Sequence, residues 1–400
     1  MQYKDNIIGG NSKLVRSINR SAILNLIREQ QPISRIRISR IMGLNKSTVS
    51  NIVNELLDED LIYEEIVSDQ NVGRNPLDLR LKLGSHYVGA INFESKILRI
   101  AIADIDGTIR KKEEFDSIEN DPEYRVKQAI EKLDELTKNM GITSLVGVGV
   151  TVAGLIDPKS GFVIVAPNLD WKNVELGEIF KRYTANTTFY FENDAEASAL
   201  AELWFGKGEI KKYSSFVFVS IGAGIGTGIV IDYKVIEGRI YAAGEFGHIP
   251  IFERGEPCIC GYYGCWEAYA SDRATVKWYK RSKNIAESNQ DITLLDVLEA
   301  VNRKDEKAIN VIKETGSYIG YGISNIIRAL DPQAIVLGGR ILQVWDLIYP
   351  EILKGLSHRT FFGLEKSVKI LPSSLKERPR LIGAATLALK EFFNDYRIIR

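Results

Sequence analysis

One imidazole and three thiols stand close together in this chain: His248, Cys258, Cys260 and Cys265, spaced His-x9-Cys-x-Cys-x4-Cys. An imidazole and three thiolates complete a tetrahedral zinc shell with no position left for water, so the spacing points to a structural metal. The competing reading is a buried histidine beside three inert thiols. Against it, the chain has 3 Cys in all and every one falls at ligand spacing. An odd, tightly clustered set in a cytosolic chain argues for metal rather than disulfides. Gly261 and Gly264, between the ligands, permit the tight turns such a knuckle needs.

A second chemistry is written in charge. Residues 11–50 carry eight Lys/Arg (Lys13, Arg16, Arg20, Arg28, Arg35, Arg37, Arg40, Lys46) against one acid, Glu29, while the whole chain balances 52 basic against 52 acidic residues. The molecule is no polycation, so a nucleic-acid site must come from this local segregation. Ile23, Leu26 and Ile27 mark one face of a helix that stops before Pro32. A second helix is expected from about Ser34 to Met42, ending at Gly43, and Asn45 is placed to cap a third. Val49, Ile52, Val53 and Leu56 define the buried face of that third helix. Its other side shows Lys46, Ser47, Thr48, Ser50, Asn51 and Asn54, donors and acceptors of the kind that reach phosphates and base edges. The β-prone Leu61–Val67, the turn Gly73-Arg74-Asn75-Pro76 and the strand through Leu77, Leu79, Leu81 and Leu83 follow. Helix, helix, turn, helix and hairpin in that order predict a winged helix-turn-helix. A small helical oligomerisation domain with a solvated basic face is the alternative.

These sites need elements to hold them. At 400 residues the chain calls for two or three domains. Its amino terminus lacks the basic-then-apolar pattern of a signal peptide. No apolar run approaches the roughly 20 residues that span a bilayer, so a cytoplasmic location is expected. From Gly84 the pattern turns β-rich: strands are predicted at Tyr87–Phe93 and Ile97–Ile105, with a hairpin turn at Asp106-Gly107 into a third. Leu145–Val152 is a further apolar strand, leading into the loop Ala153–Asp157. A second lobe opens with the strand Ser215–Ile221 and the glycine-rich Gly222–Gly228, read as a tight strand-to-strand turn beside the cleft, and ends with the strand Ala334–Leu337 and Gly338-Gly339. Two strand-rich halves with phosphate-loop-like glycines suggest two lobes around a cleft.

Several of these segments resemble the ROK family of repressors, unassigned reading frames and sugar kinases. Gly244-Glu245-Phe246-Gly247-His248 followed by Cys258-Ile-Cys260-Gly261-Tyr-Tyr-Gly264-Cys265-Trp266-Glu267 looks like its zinc-and-sugar signature. Gly147–Asp157 resembles its GxGxPGxxD segment, departing from it at Thr151-Val152. Ala166–Trp171 and Glu192–Ala197 resemble its sugar-contacting segments, and Leu371-Pro-Ser-Ser-Leu375 looks most like the xylose-repressor branch. The resemblance implies an α/β fold: a winged helix-turn-helix over 1–83, then a two-lobed actin-like, ribonuclease-H-like body. Its first lobe would span 84–200, completed by a C-terminal helix at 381–400, and its second 201–380 with the zinc site. It further implies a sugar pocket lined by Asn168, Asn193, Asp194, Glu245, His248 and Glu267. Carboxylates and amides can hold vicinal hydroxyls in pairs, and a zinc-bound histidine can offer its second nitrogen. Gly73-Arg74 resembles the family's wing, whose arginine is expected in a minor groove. Arg35, Lys46, Ser47, Thr48, Ser50 and Asn51 complete the expected DNA-facing set.

Where the family's kinases open with Asp-x-Gly-x-Thr, this chain reads Asn92-Phe93-Glu94-Ser95-Lys96. The glycine that admits phosphates is replaced by an acid, while Asp194, the kinases' base, persists as a vestige. Phosphoryl transfer depends on positioning and charge stabilisation, so no sugar phosphorylation is expected. The expected function is a sugar-responsive repressor of carbohydrate-utilisation genes, with xylose or glucose as effector. Its partners would be zinc, operator DNA and a second copy, as a homodimer or dimer of dimers. The rivals are an active sugar kinase with an appended DNA-binding head and a repressor controlled by a protein partner.

Overall fold

Helix signals open the described chain. The computed structural model describes residues 12–66, 77–117, 119–286, 292–359, 363, 367–376 and 379–394. The head holds α1 (Ser12–Gln30), α2 (Arg35–Met42) and α3 (Lys46–Asp58). A small sheet in the order β1 (Ile33–Ser34), β3 (Leu77–Leu81), β2 (Ile62–Ile66) packs beside them. The Ser34 hydroxyl accepts the Arg37 N–H at 3.3 Å and Gly43 takes φ +65°, which start and stop α2. Asn45 occupies the N-cap position of α3 but its side chain makes no capping bond, so the expected cap is positional only. Buried Val49, Ile52, Val53 and Leu56 hold α3 in place. The buried face of α1 is Ile23, Leu24 and Ile27, with Leu24 where Leu26 was expected. The arc shifts because α1 is covered by the body as well as by the head.

The first lobe runs β4 (Tyr87–Phe93), β5 (Ile97–Asp104), β6 (Ile109–Asp116), α4 (Pro122–Asn139) and β7 (Val148–Val152). A side sheet follows, of β8 (Leu155–Asp157), β9 (Phe162–Ala166) and β10 (Trp171–Glu175), then α5 (Leu176–Tyr183), β11 (Phe189–Asn193) and α6 (Asp194–Phe205). The second lobe begins with β12 (Phe216–Ile221), β13 (Ile225–Ile231) and β14 (Lys234–Val235). It continues through α7 (Glu267–Ala270), α8 (Asp272–Lys283), α9 (Leu294–Asn302), α10 (Glu306–Leu330), β15 (Ala334–Gly338), α11 (Trp345–Ser357) and β16 (Lys369–Pro372). The last helix is α12 (Pro379–Asn394).

The same sheet plan is used twice. The orders β11-β7-β4-β5-β6 and β14-β13-β12-β15-β16 each join an antiparallel three-strand meander to two parallel strands. This is the two-lobed, ribonuclease-H-like body. Parallel strands buried on both faces read as continuous apolar runs, as in Phe216–Ile221 and Ala334–Gly338. One face of the first sheet packs Ile91, Ile100 and Val150 against α4 and α5. The other face, through Ala90, Ala101 and Ala103, joins Leu381, Ala384, Ala388 and Phe393 of α12 and Ile23, Leu24 and Ile27 of α1 in one core.

Two local expectations change. Leu155–Asp157, read as loop, forms β8 against β9. The glycine run 222–228 is not one turn. Gly222 N–H donates to Gly224 O at 2.9 Å and closes the hairpin, whereas Gly226 and Gly228 lie inside β13. There they admit α6: a Cβ on Gly228 would stand 2.6 Å from Ala195 O. Among the described residues no helix is long and apolar enough to cross a membrane.

Candidate functional site

The knuckle brings together the four side chains that spacing singled out. His248 ends a short 3-10 turn, Phe246–His248, and Cys265 lies opposite Pro250 in an isolated bridge. The ligand atoms of His248, Cys258, Cys260 and Cys265 all lie within 4.8 Å of one another. Cys258 Sγ is 3.6 Å from His248 Nδ1, and Cys260 Sγ is 3.6 Å from Cys265 Sγ. A tetrahedron with zinc–sulfur legs of about 2.3 Å has edges of about 3.8 Å, so the set fits such an ion. Burial drives the Cys258 thiol above its usual range, and burial with the neighbouring Cys260 thiol raises Cys265 to about 11. Thiolates in this pocket need a compensating cation.

Beside the knuckle lies an interlobe cleft of about 1150 Å³, and Asn168, Asn193, Asp194, Glu245, His248 and Glu267 all line it. Each reaches it from an element's end. Asn168 sits in the 3-10 turn Pro167–Leu169, Asn193 closes β11, Asp194 starts α6 and Glu267 starts α7. With Nδ1 toward the cysteines, His248 turns Nε2 to within 3.8 Å of Glu245 Oε2. Asn193 is already engaged: its Oδ1 accepts the Ala195 N–H at 2.8 Å and its Nδ2 donates to Gly154 O at 2.9 Å. That makes it the N-cap that fixes Asp194. The buried Glu267 carboxylate accepts the Ile225 N–H at 2.9 Å, and a Cβ on Gly224 would run into it. Burial raises the Asp194 carboxyl, with Arg380 only partly offsetting the effect. Burial raises Glu245 as well, against the pull of His248.

Arg273 and Arg380, both in the cleft, carried no motif. Arg273 of α8 donates through Nη2 to Asn168 Oδ1 at 3.0 Å and to Ala223 O at 2.9 Å, tying the lobes together. Arg380 of α12 donates to Glu94 Oε1 at 2.8 Å, lies 3.2 Å from Asp194 Oδ2, and donates twice to Ser220 Oγ at 2.9 and 3.2 Å. A Cβ on Gly222 would meet Arg380 Nη2 at 2.5 Å, so this guanidinium fills the mouth of the glycine hairpin. Burial alone would raise Glu94, but Arg380 and Arg99 together hold its carboxyl at about 2. Asn92 is buried and donates to Thr151 Oγ1 at 3.0 Å. One signal could have flagged Arg380: a cation in a helix's first turn, just after Pro379, opposes the helix dipole and needs an anion to hold it.

On the head, Lys46, Ser47 and Asn51 are exposed and Thr48 and Ser50 half-buried along α3. Arg35 is engaged, 2.9 Å from Glu64 and bonded to Asn54 Oδ1 at 3.0 Å. The basic excess of residues 11–50 is smaller on the surface than in the sequence. Arg16 pairs with Glu55 and Arg20 with Glu59, acids beyond that window, and Arg28 is 8% exposed against the body. Arg74 lies outside the described residues.

The ROK family model matches residues 88–391, and the MarR family model matches residues 17–66. The chain belongs to the ROK family. This ROK chain is 30% identical over 382 residues to the xylose repressor of Bacillus spizizenii, covering 95% of this chain and 97% of that one. Its fold matches the crystal structure of a ROK family transcriptional regulator, a homolog of the E. coli MLC protein. That match has a TM-score of 0.80 and 27% identity, over 95% of this chain and 97% of that chain. A ROK family glucokinase from Streptomyces griseus, in complex with glucose and AMPPNP, matches 76% of this chain with 99% of its own, at TM-score 0.68 and 27% identity.

Proposed function

We infer that this chain is a sugar-responsive, DNA-binding transcription repressor of carbohydrate-utilisation genes, and that its cleft senses sugar without phosphorylating it. The observation that carries the reading is an open polyol site beside a blocked phosphate cradle. Asn168, Asp194, Glu245 and Glu267 line one cleft with His248, while Arg380, gripped by Glu94, stands in the hairpin mouth. Phosphoryl transfer needs room and free charge stabilisation at the phosphates, and here an internal ion pair takes both.

In this reading the carboxylates and the Asn168 amide hold paired hydroxyls of xylose, with glucose as the second candidate, and Asn193 positions Asp194. A sugar epimer leaves buried donors and acceptors unpaired and is rejected. His248, Cys258, Cys260 and Cys265 hold a structural zinc, which supplies folding free energy when bound. Nε2 of His248 stays free for a hydroxyl. Residues 1–83 form the DNA-binding domain, presenting Lys46, Ser47, Thr48, Ser50 and Asn51 to a major groove. Arg35 joins them on leaving Glu64, and Arg74 enters a minor groove. A homodimer, or dimer of dimers, matches half-sites about 34–36 Å, or a multiple of that, apart.

A thermal-shift screen of zinc-loaded protein against xylose, glucose, their epimers and ATP tests this. A ligand at 100 times its dissociation constant adds about 2.7 kcal/mol. The expected result is a shift with one sugar and none with its epimers or ATP. A shift with ATP would revive the kinase reading, and none with any sugar would overturn the sensor.

A further inference from the structure

The two helices that start at the cleft both end against the head. α6 begins with Asp194 and carries Trp204 near its end; α12 begins with Pro379-Arg380 and ends with Phe393-Asn394. At a rise of about 1.5 Å per residue, they reach about 15 and 20 Å from the cleft. They are joined at both ends. Arg380 Nε lies 3.2 Å from Asp194 Oδ2 at the start, and the Trp204 and Phe393 rings are 6.0 Å apart at the finish. Between these points the backbones nearly touch, since a Cβ on Gly383 would stand 2.5 Å from Ala197 O. A small-residue contact of this kind has little bulk to interlock, and packed helices of switching proteins shear by about 1–2 Å.

At the head end a single side chain meets both rods. The Arg28 guanidinium of α1 lies 4.0 Å from the centroid of the Trp204 ring and 5.5 Å from that of Phe393. Asn25, one turn earlier, donates to Phe393 O at 3.2 Å. A planar cation held over two aromatic faces is an oriented contact, able to turn the helix that carries it. At the cleft end Arg380 is shared between the lobes. Glu94 and Asp194 hold it from the first, and Ser220 Oγ of β12 accepts two of its bonds from the second. Ser220 thus joins the second lobe directly to the start of α12.

We propose that Arg28 is the positioning residue through which the state of the cleft reaches the DNA-reading head. Motion of the second lobe passes through Ser220 and Arg380, shears α12 along α6, and turns α1 through the stack on Trp204 and Phe393. The inference rests on the reading of the chain as a DNA-binding repressor with a sensing cleft, and it supplies the route between the two.

The test uses the full chain and a duplex enriched by the wild-type protein from random DNA, with no sugar present. Operator affinity is measured by fluorescence anisotropy for wild type, Ser220→Ala, Arg28→Lys and the double variant. Lysine keeps the charge and loses the planar stack. Ser220→Ala is expected to shift affinity by about 5-fold or more in the wild-type background and by less than about 2-fold when Arg28 is lysine. Trp204→Leu, which removes one face of the stack from the body side, gives the same expectation should Arg28→Lys fold poorly. Additive effects, or no effect of Ser220→Ala, with tight operator binding retained, would overturn this route alone. Failure of the wild-type protein to enrich any duplex would overturn the repressor reading beneath it.

Discussion

Replacing Glu94 by Gln should cost this protein about 3 kcal/mol at neutral pH, and the cost should fade in acid. The side chain is 17% exposed and is held by Arg380 and Arg99, which keep its carboxyl at about 2 instead of 4.5. That difference corresponds to about 3 kcal/mol, and it agrees with the about 3–5 kcal/mol lost when one partner of a buried pair is removed. Gln leaves the Arg380 guanidinium with only the carboxyls of Asp194 and Asp272 to balance it. The sign follows from linkage: a carboxyl whose folded pKa is depressed stabilises fully above its unfolded value, and that stabilisation disappears as pH falls through the folded one. The gap between wild type and Glu94→Gln should thus be constant from pH 7 to about 5 and close between about 4.5 and 2. Urea unfolding of both proteins, followed by tryptophan fluorescence at several pH values, measures it. A gap below about 1 kcal/mol, or one that ignores pH, would refute the claim that an ion pair closes the hairpin mouth.

Removing metal with a chelator, or making Cys258→Ser, should lower the melting temperature by more than about 5 °C, with zinc release followed by a colorimetric dye. An unchanged melting curve after complete metal removal would rule out a structural role. Asp194→Asn should weaken binding of the effector sugar by about 10- to 150-fold in calorimetry, the cost of losing a charged acceptor, while the melting curve stays cooperative. Lys46→Ala should weaken operator binding evenly across sequences and lower the salt slope by about 1. Asn51→Ala should instead cost about 1–3 kcal/mol and relax preference at one base position, read by anisotropy on single-base variants.

What the sequence revealed followed from how far each feature reaches along the chain. The knuckle was legible because its four ligands fall between His248 and Cys265, and turn glycines between them leave few other shapes. The buried face of α3 was legible because Val49, Ile52, Val53 and Leu56 repeat with the helix. Asn168 and Glu267 came through motif resemblance, and they meet in the cleft only because two lobes close around it. The partners of Arg380 were not legible: Glu94, Asp194 and Ser220 lie far back in the chain, and no local pattern ties them to it. The same blindness inflated the basic stripe. Counting acids within residues 11–50 missed Glu55, Glu59 and Glu64, which neutralise three of its arginines. Gly226 and Gly228 misled for a related reason, since a glycine that admits a neighbouring helix looks, in one dimension, like one that makes a turn.

The shared core of α1 and α12 also sets a timetable. The apolar side of the first described helix, Ile23, Leu24 and Ile27, is covered in part by Leu381, Ala384, Ala388 and Phe393 of the last one. On a ribosome moving at about 5–20 residues per second, the reading head emerges roughly 15–60 s before the helix that finishes burying it. For that interval the newborn head carries a partly uncovered hydrophobic stripe, a target for a chaperone. A chain cut short before Pro379 keeps every residue of the head and never seals it. Any fragment released before α12 is made therefore leaves part of the apolar face of α1 open to water.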